Sequence, residues 1–282
     1  RFPFVDPDAI VGGSWCPSDG FLRPEVVYND AAACLRAEGG QLLQNTPVTG
    51  AVHAGGRLLA VETPKGRFEG DLFLDCTNAW TARLAPLLGG TPLPVAALKR
   101  YLWFVERAGP MSSQELLAMP LTIAPSGAYC RPENSASLMV GWKHDAPDVS
   151  GHFSYTDQDS VEADFSHKSG VDARPFEAWM ALAEAMPPLA EFAGISATTA
   201  GFYGTTPDHN PFLDFDPRVE NLIRLVGFSG HGAMFGPFTA LVAAALAEAG
   251  CSLESVQVLG EDACLDAFAV GRPFAHGESM VI

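Results

Sequence analysis

The chain has 282 residues, 48% of them hydrophobic and 18% charged, so it carries the material for a large core, and wholesale disorder is excluded. Its 33 Asp and Glu against 17 Lys and Arg give a net charge of −16. A surface this acidic repels phosphate backbones and anionic lipid, and no basic patch offsets it, so neither a nucleic acid nor a membrane surface is expected as a partner.

Residues 1 to 20, rich in Pro, Gly and Asp, read as an irregular lead-in. Arg23-Pro24-Glu25 opens a helix through Glu38, with Val26, Val27, Ala31, Cys34 and Leu35 on one apolar stripe, and Gly39-Gly40 stops it. Short strands are expected at Gln41–Gln44, Val48–His53, Arg57–Thr63 and Arg67–Asp75, with turns at Gly55-Gly56 and Lys65-Gly66. Asn78-Ala79-Trp80 leads into a short helix, Thr81–Leu88, that ends at Gly89-Gly90. From Pro92 to about Thr199 the character changes. Strands at Lys99–Val105, Ala128–Arg131 and Ser137–Trp142 are separated by long polar loops from a helix at Pro175–Ala185. This reads as an antiparallel sheet with helices, set between two halves of another unit. Thr198–Tyr203 and Leu222–Phe228 are strands again, and a strongly apolar helix, Pro237–Ala249, follows. Its longest apolar run, Phe238 to Ala249, is too short to cross a bilayer. The six cysteines (Cys16, Cys34, Cys76, Cys130, Cys251, Cys264) form no C-x-x-C pair and read as reduced, mostly buried thiols, with no metal site expected. With no signal-peptide pattern at the start, the cytoplasm is the expected compartment.

The most informative stretch runs from Asn221 to Pro237, N-L-I-R-L-V-G-F-S-G-H-G-A-M-F-G-P. A strand delivers the chain to Gly227, Gly230, Gly232 and Gly236, and a helix departs with Pro237 suited to its first turn. Glycines let a backbone approach a ligand closely, and the N–H groups and positive dipole end of a helix favour a negative group there. The competing reading is a plain tight turn. The nicotinamide spacing G-x-G-x-x-G is not met, because Phe235 stands where the third glycine is needed. A second dense stretch, G-F-Y-G-T-T-P-D-H-N-P from Gly201 to Pro211, offers Tyr203, Asp208 and His209 as pocket residues or, on composition alone, a Pro-Asp turn.

Together these stretches resemble the D-amino-acid oxidase-like FAD-dependent oxidoreductases, nearest to the branch of sarcosine oxidase beta subunits and dimethylglycine dehydrogenases. Further likeness lies in G-G-x-x-x-P-x-D-G-x-x-x-P (12 to 24), in Val61, Thr63 and Gly66, in D-C-T-N-A-W (75 to 80) and in R-P-F-A-H-G-E (272 to 278). The resemblance implies an α+β fold of two interleaved parts. One is an α/β remnant of an FAD-binding domain (21–90 and 200–260); the other is a substrate domain with a mixed or antiparallel sheet (91–199), and a tail (261–282) follows. It also implies an N-terminal βαβ unit with a glycine-rich turn, and this chain starts downstream of where that unit would lie. A fragment is the expectation, ahead of a mis-started gene or a subunit completed by a second chain.

The resemblance further implies non-covalent FAD, since Gly201 to Thr206 holds no cysteine to attach it. Gly227, Ser229, Gly230, His231, Gly232, Ala233 and Met234 would lie against the flavin ring. Val48 would pair with the adenine through its main chain. Thr77, Asn78 and Trp80 would form a loop near the cofactor, with Asn78 standing where the family usually has glycine, and Gly204 and Asp208 would lie on the same side. The implied activity is oxidation of the C–N bond of a small amine or amino acid, a secondary or N-methyl amino acid first among them, by hydride transfer to the flavin. The alternative is a catalytically incomplete or non-enzymatic subunit. No catalytic side chain is assigned. Ala233 and Met234 occupy the place of a substrate-binding lysine, and Met139 that of an oxygen-assisting lysine, which weakens the oxidase reading. Tyr129, Arg131, Lys143 and Tyr203, with Arg100 and His144, are the candidates for pocket polarity, each against the alternative of a solvated strand end.

Overall fold

The computed structural model describes residues 2–142 and 175–274. In chain order the elements are α1 (Pro24–Ala37), β1 (Gly50–Ala54), β2 (Arg57–Thr63), β3 (Gly66–Glu69), β4 (Phe73–Asp75), α2 (Thr81–Leu87), β5 (Ala96–Glu106), α3 (Ser113–Leu117), β6 (Thr122–Ile123), β7 (Ala128–Pro132) and β8 (Ser137–Trp142). Then come α4 (Pro175–Ala185), β9 (Gly194–Thr205), β10 (Phe212–Asp216), β11 (Val219–Val226), α5 (Gly232–Ala249), β12 (Ser255–Val258) and β13 (Glu261–Cys264). The fold is α+β.

Two sheets position the site. The larger has the order β6-β7-β8-β5-β9, with every neighbouring pair antiparallel. Alternation along its strands sends Tyr101, Trp103, Val105, Cys130, Leu138 and Val140 to one face, where they pack with Leu182, Met186 and Leu189 from α4 and the turn after it. Phe4 of the lead-in is buried in the same cluster. The opposite face carries Leu98, Arg100, Leu102, Tyr129, Arg131, Met139 and Tyr203, as the registers Leu98↔Tyr203, Leu102↔Gly141, Tyr129↔Gly141 and Arg131↔Met139 require. The smaller sheet has the order β10-β11-β4, and its β11–β4 pair is parallel. Leu213, Ile223 and Leu225 cover it on one side by packing with Val242 and Leu246 of α5. The meander β1-β2-β3 and the hairpin β12-β13 complete the set.

Several sequence expectations shift. Gln41–Gln44 forms no strand: Leu42 and Leu43 are exposed, Asn45 turns with φ 52°, and the Gln44 carbonyl accepts from the side chains of Lys65 and Thr46 rather than from a strand partner. The strand after it starts at Gly50 rather than Val48, following Pro47, which has no N–H to give a ladder. The single strand expected over Arg67–Asp75 is two, because the chain leaves the meander at Gly70 and enters the smaller sheet at Phe73. The α1 stripe is uncovered, and no residue of that helix is buried. The last long helix begins at Gly232, so Pro237 lies inside it, and the glycine turn is itself the helix start. At 18 residues with a mean hydropathy of 1.4, this helix is long and apolar enough to cross a bilayer, which removes the length argument made from sequence. Of the six cysteines only Cys130 is buried; the other five, Cys76 included, are exposed.

Candidate functional site

β4 and β11 run side by side in the same direction, so their carboxyl ends deliver two loops to one place, where open α/β sheets bind ligands. One loop is Cys76 to Trp80. The other is Gly227 to His231, which turns directly into α5. β9 arrives from the larger sheet and ends beside both at Tyr203 to Thr206.

The second loop is held by its own first half. The Oδ1 of Asn78 accepts from the N–H of Gly227 at 2.9 Å and of Phe228 at 3.3 Å. Ser229, fully buried with φ 51°, donates its N–H to the Gly204 carbonyl at 2.8 Å, and its hydroxyl accepts from Thr206 N–H at 3.2 Å and bonds the Gly227 carbonyl. Gly227, Asn78 and Ser229 therefore shape the turn rather than face outward. The N–H groups of Gly230, Gly232 and Ala233 remain at the start of α5, where the first helical N–H groups have no acceptor within the helix. At Gly230, φ 94°, a side chain would reach within 2.9 Å of the Tyr203 ring. The His231 ring lies against Phe235, and Met234 is exposed.

Opposite this turn stands the polar face of the larger sheet. The Arg100 guanidinium lies 6.0 Å from the centre of the Tyr203 ring. Tyr129 is buried, and its ring covers Gly141 so closely that any side chain there would collide with it. Burial pushes the Tyr129 phenol up, helped by Tyr203 and opposed by Arg100 and Arg131. Burial likewise raises the Tyr203 phenol against the pull of Arg100. Both phenols are therefore neutral donors near pH 7.

Other expected residues have different partners. Arg131 is taken by Glu133 at 2.7 Å and lies over the Phe21 ring. Asp208 is gripped from both oxygens by Arg272, at 2.8 Å each, and accepts from Asn210 N–H, so it ties the 207–211 turn to the C-terminal segment. Desolvation alone would raise its carboxyl, but the hydrogen bonds and charge of Arg272 outweigh that and hold it below its ordinary range. Trp80 meets Phe202 edge to face, joining the first loop to β9. Val48 packs, partly buried, beside Leu58, Leu88, Val219 and Leu222. Lys143 and His144 lie outside the described residues. Cys76, though exposed, has its thiol pushed up by partial desolvation and then by Asp75.

Sequence reasoning missed the groups beneath the two loops. Arg224, fully buried in β11, donates to Asp75 at 3.1 Å, Asp216 at 2.7 Å, the Thr81 hydroxyl at 2.7 Å and the Thr91 carbonyl at 3.0 Å. The other oxygen of Asp75 accepts from the N–H and hydroxyl of Thr77, which fixes the start of the first loop. The available signal was a lone arginine in L-I-R-L-V and a lone aspartate in L-F-L-D, since charges inside apolar strands survive only when paired.

Residues 1–246 match the family described as FAD dependent oxidoreductase, DAO. Mitochondrial sarcosine dehydrogenase of Homo sapiens is 24% identical over 245 residues, which is 83% of this chain and 25% of that protein. N-methyl-L-tryptophan oxidase of Salmonella arizonae is 27% identical over 247 residues, 86% of this chain and 61% of that protein. Among solved structures, L-proline dehydrogenase from P. horikoshii superposes with a TM-score of 0.74 at 23% identity, over 89% of this chain and 62% of that one. The chain thus spans between a quarter and three fifths of the length of these relatives.

Proposed function

The chain belongs to the DAO family of FAD dependent oxidoreductases, and on that footing we propose that it is the flavin- and substrate-facing part of an enzyme that oxidises the C–N bond of a small amino acid, with a secondary or N-methyl amine as the preferred substrate. The observation that carries this reading is the opposition of the Gly230 turn to a sheet face bearing Arg100, Tyr129 and Tyr203. FAD, the cofactor of the family, supplies hydride acceptance when bound. The residues fit it: Gly230 lets the turn lie close against the Tyr203 ring, and the N–H groups of Gly230, Gly232 and Ala233 at the start of α5 stabilise negative charge. Arg100 pairs with the substrate carboxylate, and the neutral phenols of Tyr129 and Tyr203 donate hydrogen bonds beside it. Sarcosine, N-methyl-L-tryptophan and L-proline, named for the three relatives, are all secondary amines carrying a carboxylate.

Completion of the FAD site by a nucleotide-binding unit outside these 282 residues is part of the proposal. It is supported by the outer edge of β4, which has no strand beside it among the described residues, by Leu74 at 46% exposure, and by the uncovered Met234 and Leu241 on α5. A catalytically incomplete or non-enzymatic subunit or fragment of such a flavoprotein complex is the second reading. The exposed, unbridged cysteines suit a reducing compartment, and we place the protein in the cytoplasm.

The test is a visible absorption spectrum after FAD addition and gel filtration, for this chain and for the gene product with its upstream sequence restored. Anaerobic flavin bleaching by N-methyl amino acids and by their methyl esters follows. Retained flavin, bleached by the acids and far less by the esters, is expected. Arg100→Met raises KM for the acids roughly 10- to 100-fold, the loss of one charged hydrogen bond, and leaves the ester rate unchanged. No flavin in either form sinks the proposal, and equal bleaching by the esters sinks the role of Arg100.

A further inference from the structure

The Asn78 side chain touches the ends of two strands at the site, β11 and β9, and its own backbone follows a third, β4. It sits in the left-handed region, φ 47°, a conformation that asparagine tolerates better than most residues. Two N–H groups, those of Gly227 and Phe228, converge on a single atom of its carboxamide, which fixes that atom as the oxygen. The same carboxamide lies against Gly204 at the end of β9, so closely that a side chain at 204 would collide with it. Behind it, Thr77 is bound to Asp75 through both N–H and hydroxyl, and Asp75 is bound to the enclosed Arg224. The backbone at 78 is therefore held from below while its side chain holds the neighbouring loop.

The consequence concerns which amides meet a ligand. The N–H groups of Gly227 and Phe228 are consumed by Asn78, and that of Ser229 by the Gly204 carbonyl. The loop is left to present the donors at the start of α5. We infer that Asn78 is the positioning residue of the cofactor loop, whose carboxamide oxygen withdraws the N–H groups of Gly227 and Phe228 and so aims the Gly230–Ala233 turn at the bound group. This goes beyond the proposed activity, because it concerns how the loop is set before any ligand arrives.

The test uses amide hydrogen exchange of the flavin-free chain together with FAD titration and redox titration of the loaded protein. Asn78→Gly keeps the left-handed backbone and removes the acceptor. Exchange at Gly227 and Phe228 is expected to rise at least tenfold while the β11 amides of Ile223 and Leu225 stay protected, and the FAD dissociation constant rises roughly tenfold. Asn78→Asp keeps an acceptor and adds charge. It restores the protection of both amides, and it lowers the flavin midpoint potential because negative charge disfavours the reduced ring. Unchanged exchange in Asn78→Gly overturns the inference. So does raised exchange with unaltered FAD affinity in a chain that binds FAD. If the parent chain binds no FAD, that result counts against the proposed function, and the exchange measurement alone decides the role of Asn78.

Discussion

The two sheets that meet at the site are finished to different degrees and held by different forces. The five-stranded antiparallel sheet packs one face under α4 and the lead-in, with Trp103, Leu138, Val140, Leu182 and Leu189 all at 2% exposure or less. The three-stranded sheet ends in a strand of three residues with no strand on its outer edge among the described residues, and at that end it is held by Arg224 between Asp75 and Asp216. Apolar burial is indifferent to direction and stabilises a body as a whole. A buried arginine with two carboxylates and two threonines specifies where particular backbone segments sit, at a desolvation cost that its four hydrogen bonds offset. The half of the molecule that places loops thus adds directional contacts to its apolar packing on α5, and the half that offers a face is built on packing.

Removing the ion cluster should break that contrast most severely. Arg224→Ala leaves two carboxylates buried without their cation and should cost about 3–5 kcal/mol, read as a lowered midpoint in urea unfolding. A loss below about 1 kcal/mol would mean that the cluster is not enclosed. Leu182→Ala, a cavity in the apolar core, should cost roughly 2–5 kcal/mol and leave exchange in β10 and β11 unaltered if the two bodies are separately held. The smallest effect is that of acid. Desolvation would raise the Asp216 carboxyl, but hydrogen bonds from the N–H groups of Arg218 and Thr91 and from Arg224 outweigh it, so its folded pKa lies below the ordinary value. Its contribution is then complete above the unfolded pKa near about 4 and is lost as pH falls through the folded value. Asp208, held down by Arg272, behaves in the same direction. Amide exchange recorded between pH 5 and 3 should therefore loosen β10 and β11 before β5 and β8. Loosening in the reverse order would contradict the division of forces.

Much of this arrangement was legible in the residues. The strand, glycine turn and helix at 222–249 were found because turn glycines and a continuous apolar helix are local signals, and the antiparallel strands around Trp103 and Val140 were found from their apolar runs. The ion cluster was not, since Asp75 and Arg224 belong to strands paired only in the folded chain, and no local pattern joins them. The same holds for Arg272 and Asp208. Ser229 and Asp208 looked like ligand residues because Ser and Asp in a glycine-rich turn fit either use, and only the folded partners Thr206 and Arg272 separate the two. The strand expected at Gln41–Gln44 failed for the opposite reason: its composition suits a strand, but what the fold brings to it is the Lys65 side chain and not a strand.

The contact between Asn78 and Gly204 also binds the two positions in descent. A carboxamide at 78 forbids any side chain at 204, so the pair is inherited as a single choice written at two distant places in the gene. A lineage with glycine at 78 loses the carboxamide clash, yet the Ala79 backbone nitrogen, 3.0 Å from the first side-chain carbon at 204, still crowds any replacement there. A lineage with asparagine at 78 keeps both obstacles, and selection there should remove changes at 204 most strictly.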